Sequence, residues 1–398
     1  MKSNKIDLTF FDTVHDRKNT GSIKYDTLPS GRRYNDIIPM WIADMDFKVP
    51  IEVENALLSV SEHGIFGYTN TDDEYDAVLG DWYLQRMNWQ TQPEWNIKTP
   101  GVVFAIAAAI NAFSNIGDSI LICQPVYYPF ANVVTANKRN LVASQLQLSG
   151  GKYEIDFDDL EKKITDNSVK VFLLCSPHNP VGRVWTKQEL LEIGRICLKH
   201  NVLIVSDEIH SDFIYKGSVH IPIASLSDEL AEQTITCTAP SKTFNLAGLQ
   251  AANIFAKNPV LREKLQKACT KTGYSNLNTM AIVAAKAAYK YGEPWLNTLL
   301  EYLQNNISLL HNSLAGSRIS LIHPEGTYLM WLDCRALNLT DRELKNFFIN
   351  EAGLWLHNGS TFGAGGSGFM RMNIACPKSI LKEALSRLDK ALRERSYL

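Results

Sequence analysis

Lys242 stands in the string Ala239-Pro240-Ser241-Lys242-Thr243-Phe244-Asn245-Leu246-Ala247-Gly248-Leu249. A lysine amine does covalent chemistry only when it can become neutral, and a hydroxyl neighbour such as Ser241 can help bind an anion beside it. Alone the string says little, because most lysines are solvated surface charges. Its weight comes from residues of matching chemistry elsewhere in the chain. Asp207 closes an apolar run, and a buried carboxylate there is costly unless a cation meets it. Asn179 lies in the proline-bounded loop Ser176-Pro177-His178-Asn179-Pro180, which rigidifies a hydrogen-bonding side chain. Tyr127 offers a face for stacking on a planar ring. Gly101-Val102-Val103-Phe104 opens an alanine-rich helix, whose free N–H groups suit a phosphate. Arg371, in a strand-like run, calls for an anion, and a carboxylate fits its fork.

Each of these residues also has a bland reading. Asp207 serves equally as a helix N-cap, Asn179 as turn chemistry, Tyr127 as a core or rim aromatic and Arg371 as half of a structural ion pair. Asp207, Glu208 and His210 could be metal ligands, but no second His or Cys cluster stands at ligand spacing, so no metal is expected. The run Phe362-Gly363-Ala364-Gly365-Gly366-Ser367-Gly368 precedes a strand rather than a helix. It therefore fails the dinucleotide fingerprint and reads as a flexible loop.

The elements that must position these residues can be read from the apolar pattern. Residues 119–123, 169–175, 202–206 and 234–237 are continuous, β-branched runs, as in strands covered on both faces. Helical segments separate them; Thr186 to His200 is the clearest, with Thr186 and Glu189 spaced as a capping box. Strands alternating with helices predict an α/β fold around a mostly parallel sheet. The suspicious loops all follow strand ends, where such sheets bind ligands. Past residue 290 the pattern changes to helices at 295–314, 341–352 and 379–392 around strand-like 328–332 and 369–374. We expect a large domain over 51–290, and a smaller α+β domain built from 1–50 and 291–398.

The chain has 398 residues, enough for more than one core, and its net charge of -2 comes without any long basic run. Nucleic acid and anionic membranes are therefore not expected as partners. The 7 cysteines include no C-x-x-C pair, which fits a reducing compartment, and a cytoplasmic protein is expected. Met1 to Asp7 lacks the apolar core of a secretory leader, and the apolar stretch Val102 to Ile110 is too short to span a bilayer.

Taken together, the chain resembles the fold type I pyridoxal phosphate enzymes of the aspartate aminotransferase superfamily. It is most similar to their MalY/PatB cystathionine β-lyase (C-S lyase) branch. The carrying strings are Pro39-Met40-Trp41-Ile42-Ala43-Asp44-Met45-Asp46-Phe47, Phe66-Gly67-Tyr68-Thr69, Cys175 to Pro180, Ser206 to His210, Ser241 to Asn245 and Arg371 to Pro377. The resemblance implies a large domain with a sheet of about seven strands between helices, in which Lys242 carries pyridoxal 5'-phosphate as a Schiff base and acts as the catalytic base. It puts Asp207 on the pyridine nitrogen, Asn179 on the phenolic oxygen with His210 nearby, and Tyr127 on the ring, where it also serves catalysis. Val103 and Phe104 amides with Ser241 would bind the phosphate, joined by Tyr68 from a second subunit of a homodimer. Arg371, Asn179 and Ala43 would bind the small amino-acid substrate. His210 and Gln250 replace the tyrosine and arginine usual in aminotransferases. The implied reaction is α,β-elimination from cysteine S-conjugates such as L-cystathionine. Aminotransfer is the alternative, and a regulatory scaffold that keeps the fold is a third.

Overall fold

The computed structural model describes residues 6–29, 31–33 and 36–397. Met1 to Lys5, the start of the string read above for a leader, lies outside them. Seven strands form the large sheet: β1 (Asn96–Thr99), β2 (Ser119–Gln124), β3 (Asn140–Gln145), β4 (Val171–Cys175), β5 (Leu203–Asp207), β6 (Thr234–Thr238) and β7 (Ala252–Phe255). Their spatial order is β1-β7-β6-β5-β4-β2-β3. Every neighbouring pair is parallel except those made by β7, which runs against both β6 and β1.

Alternation along each strand explains the continuous apolar runs. In β4, Val171, Leu173 and Cys175 join one apolar layer, while Phe172 and Leu174 join the other. Each layer is closed by a helix. Five helices matter here: α1 (Ile51–His63), α2 (Asp73–Met87), α3 (Val102–Phe113), α4 (Lys187–Lys199) and α5 (Pro240–Thr243). Buried Ala105, Ile106, Ala108 and Ala109 of α3 belong to the first layer, and Leu190, Ile193 and Ile196 of α4 to the second. The α4 capping box is present: Glu189 N donates to Thr186 Oγ1 at 3.2 Å and Thr186 N to Glu189 Oε2 at 2.7 Å.

A second sheet of four strands follows: β8 (Ser320–Leu321), β9 (Leu329–Asp333), β10 (His357–Asn358) and β11 (Phe369–Asn373), antiparallel in the order β8-β9-β11-β10. The N-terminal segment lies along it. Ile38 and Pro39 pair with Leu354 and Trp355, and Asn373 N donates to Met40 O at 2.8 Å. The expected helix 341–352 is α-helical through Asn346 and widens to π geometry over Phe347–Glu351. The wider turn keeps Phe347, Phe348 and Ile349, three consecutive residues, all buried. The glycines of 363–368 serve close packing. Gly359 and Gly366 press backbone on backbone, and Gly363 faces the Gln124 amide, leaving no room for a Cβ at any of the three. One apolar cluster joins Phe255 of β7 and Phe244 to Trp295, Leu329 of β9 and Leu388, so the two sheets share a core. Among the described residues no helix is long and apolar enough to cross a membrane.

Candidate active site

The carboxyl ends of β2, β4, β5 and β6 deliver the site. β5 ends on Asp207, which is 4 % exposed and accepts a bond from the Ile209 amide at 3.1 Å. Burial pushes its carboxyl up to about 7, against the opposing pull of the Ile209 bond and the Lys242 charge. A carboxylate left in this state gains greatly from an added cation.

β6 leads into α5, where Pro240 presets the helical φ and Ser241 and Lys242 follow at once. Lys242 Nζ donates to Ala43 O at 2.7 Å. Burial lowers its amine from 10.5 to about 8, so an appreciable neutral fraction exists near pH 7. From β4, Asn179 accepts from Arg371 Nη1 through Oδ1 at 3.1 Å, and its carbonyl takes the Tyr127 amide at 3.0 Å. Burial pushes the Tyr127 hydroxyl up to about 12. His210 is buried, which drives its imidazole down to about 3, and its Nδ1 has no partner among the described residues.

One cavity of about 150 Å³ gathers these groups. Its walls include Lys242, Ser241, Asp207, His210, Asn179 and Tyr127, and also Ala43, Val103 and Gln250. Gly101 and Val102 close one end at the start of α3. Ala105 N makes the first backward bond there, to Gly101 O at 3.1 Å. The amides of Val102, Val103 and Phe104 precede it, and a helix start of this kind attracts an anion. Phe104 is not in the cavity wall; its ring lies 5.4 Å from that of Tyr274. Arg371 stands behind the wall and reaches it through Asn179. Tyr68 is fully exposed and takes no part in this cavity.

Arg371 is 3 % exposed and sits on β11, with Nη2 donating to Trp41 O at 2.8 Å and the Phe362 ring 4.9 Å from its guanidinium. Its Nε is unpartnered, and no carboxylate of the described residues pairs with it. Burial lowers the guanidinium to about 10.

Sequence reasoning passed over the residues that hold the strap 42–46 across the site. Asn373 Nδ2 donates to Ile42 O and Asp44 O at 2.7 Å each, and the Tyr328 hydroxyl to Ala43 O at 3.0 Å. Asn245 Nδ2 donates to Met45 O and Phe47 O at 3.0 Å each. A signal existed for Asn373: two residues beyond Arg371 on a strand, it shares that residue's face. Nothing local marked Tyr328. The assembled cavity therefore holds an amine able to lose its proton near neutrality, a carboxylate lacking a cation and a helix start lacking an anion. An arginine lacking a carboxylate stands beside it.

Comparison with known proteins shows the family. The sequence model of the family "Aminotransferase class I and II" matches residues 35–388. A cystathionine beta-lyase of Bacillus subtilis, PatB, is 42% identical over 385 residues, covering 96% of this chain and 99% of the relative. Protein MalY of Escherichia coli is 31% identical, covering 96% and 98%. The crystal structure of cystalysin from Treponema denticola, which contains a pyridoxal 5'-phosphate cofactor, superposes with a TM-score of 0.94. It is 39% identical, with 97% of this chain and 99% of that chain covered.

Proposed function

This chain belongs to the class I and II aminotransferase family, and from that premise we propose that it is a pyridoxal 5'-phosphate-dependent carbon–sulfur β-lyase. Its substrates would be cysteine S-conjugates such as L-cystathionine, split into a thiol, pyruvate and ammonia. The observation that carries most weight is Lys242: a part-buried amine lowered to about 8, on the same cavity wall as Asp207, a carboxylate with no cation paired to it among the described residues.

The residues suit the cofactor. Asp207 would meet its pyridinium, and the pairing relieves a carboxylate that burial has pushed up. Ser241 and the Val103 and Phe104 amides would take its phosphate, with Gln250 present and no arginine in the cavity wall. Tyr127 would stack on its ring, and Asn179 and His210 would border its phenolic oxygen. When bound, pyridoxal phosphate supplies an electron sink for the charge left at the substrate Cα.

Arg371 would clamp the substrate carboxylate, steered by Asn179 and the strap at Ala43. The neutral Lys242 amine would take the Cα proton, which needs a base whose strength lies near the working pH. The thiolate then leaves Cβ. Lys242, now protonated, or the Tyr127 hydroxyl, which burial keeps protonated, would return a proton to the departing sulfur. The remaining unsaturated amino acid reacts with water to give pyruvate and ammonia. We also assign the working unit as a homodimer, in which Tyr68 of one copy reaches the phosphate end of the other.

The test is to incubate the cofactor-loaded protein with L-cystathionine and no 2-oxo acid. Pyruvate and free thiol should appear in equal amounts, and Lys242→Ala should release neither. Amino-group transfer without pyruvate, or full turnover by Lys242→Ala, would overturn the assignment.

A further inference from the structure

The strap that crosses the site carries a second carboxylate. Ala43 O receives both Lys242 Nζ, at 2.7 Å, and the Tyr328 hydroxyl, at 3.0 Å. The next residue is Asp44. Its Oδ2 lies 2.5 Å from Arg17 Nη2, whereas its Oδ1 is buried and has no hydrogen-bond partner among the described residues. The neighbouring acid is treated differently. Asp46 has Arg17 Nη1 at 2.7 Å on one oxygen and Lys24 Nζ at 2.8 Å on the other. Asp46 is thus closed off by two side-chain cations, while Asp44, whose side chain is 23 % exposed and whose backbone carbonyl lies 3.3 Å from Lys24 Nζ, keeps one buried side-chain oxygen without a partner among the described residues.

Among the described residues, the charged and titratable groups around Lys242 include Asp207, His210 and Tyr127 on the same cavity wall, the Tyr328 hydroxyl on the shared Ala43 carbonyl, Arg371 behind Asn179, and Asp44, the next residue of the strap. Burial depresses the Lys242 amine. Asp44 is the foremost charge acting against that depression, ahead of Asp207, while Arg371 acts with burial. Asp44 is also the foremost charge raising the Tyr328 hydroxyl. Tyr25, within 5.3 Å of the Arg17 guanidinium, and Cys376, near Asp46, complete the far side of the cluster.

We propose that Asp44 is a positioning residue of this site: anchored to Arg17, next to the Ala43 carbonyl that Lys242 grips, it places one unpartnered oxygen where its charge favours the protonated form of the Lys242 nitrogen. The inference rests on Lys242 being the cofactor-bearing amine. Without Asp44 the nitrogen would release its proton at lower pH. With it, the nitrogen holds a proton longer and can deliver one to a leaving group.

Two readouts test this without measuring turnover. One is the pH midpoint of the visible absorption of the cofactor-loaded protein, which follows the proton on the Lys242 nitrogen. The other is the pH dependence of Lys242 labelling by an amine reagent in cofactor-free protein, followed by peptide mass spectrometry. Asp44→Asn should lower both midpoints by about one pH unit, the low end of what a nearby opposite charge does. Asp44→Glu should recover most of the shift. If Asp44 only fastens the strap, Asp44→Asn will weaken substrate binding and leave both midpoints in place, and that result overturns the proposal. Should Asp44→Asn not fold, Arg17→Met tests the same charge from the other side. Freeing Asp44 from its cation should raise the midpoints, and no change or a fall would count against the idea. If the unaltered protein shows no visible band from Lys242, the proposed function fails, and the labelling experiment still judges Asp44 on its own.

Discussion

Arg371 shows how much a single buried charge says about function. Removing a guanidinium from water costs several kcal/mol unless something repays it. Here its partners are one amide oxygen, one backbone carbonyl and the face of Phe362, with Nε left over. That inventory is incomplete for a purely structural arginine and complete for one awaiting a carboxylate. Arg371→Lys keeps the charge and removes the fork. A charge-assisted hydrogen bond is worth about 1.5–3 kcal/mol, so kcat/KM should fall by about 10- to 100-fold, mainly through KM. Fold stability should hold or improve, because a flexible ammonium is easier to satisfy there. Unchanged steady-state kinetics would remove Arg371 from substrate binding. At this scale the sequence was informative where chemistry and local pattern coincide. Asp207 and Lys242 each close or follow an apolar strand, and their side chains are unusual for such positions. Asn245 and Asp44, quoted only as parts of longer strings, and Tyr328 received no role because each acts on the strap or from it, across as many as 285 residues of chain between Tyr328 and Ala43. No spacing records a contact of that kind.

The four strands read from the sequence were legible because both faces of each are covered, so the residues have to be apolar throughout. The reversal of β7 was not legible. Its residues are as buried as those of its parallel neighbours, and direction depends on how the chain returns rather than on what it buries. The glycine run at 363–368 misled for a related reason: tight packing against a distant backbone and a flexible loop draw on the same residue type. Helical glycines allow a direct test of which effect decides. Replacing glycine by alanine within a helix gains up to about 1 kcal/mol in propensity. At Gly80 in α2 the new Cβ would find only Thr91 Oγ1, at 3.7 Å, an ordinary contact. At Gly194 in α4 it would lie 2.6 Å and 2.9 Å from the two Cδ atoms of Leu230, a side chain only 2 % exposed. Overpacking of this kind costs about 1–3 kcal/mol, which exceeds the propensity gain. Gly80→Ala should therefore raise the denaturation midpoint and Gly194→Ala should lower it. A rise at both positions would show that propensity, not packing, governs both helices.

At the scale of the whole molecule, one surface is poorly suited to water. Between α1 and α2 the chain exposes Ile65, Phe66 and Tyr68, at 68 %, 59 % and 109 % of their full areas. Ile51 and Leu58 of α1 are also half exposed, and Leu58 lines a groove with Val49, Leu57, Leu249 and Met280, rimmed by Lys48 and Glu54. Large apolar side chains exposed together in this way are usually covered in the working form. A second copy as the cover also accounts for Tyr68, a residue with a role expected at a phosphate but with no place in its own chain's cavity. The two roles separate by substitution. Ile65→Asp combined with Phe66→Asp should halve the mass measured by sedimentation and weaken cofactor binding along with it. Tyr68→Phe removes one hydroxyl and leaves the apolar cover intact. The dimer should persist while cofactor affinity falls by about tenfold, the worth of one hydrogen bond to a charged group. A protein that sediments as a single chain with full cofactor affinity would separate Tyr68 from the site and leave the exposed apolar surface to another partner.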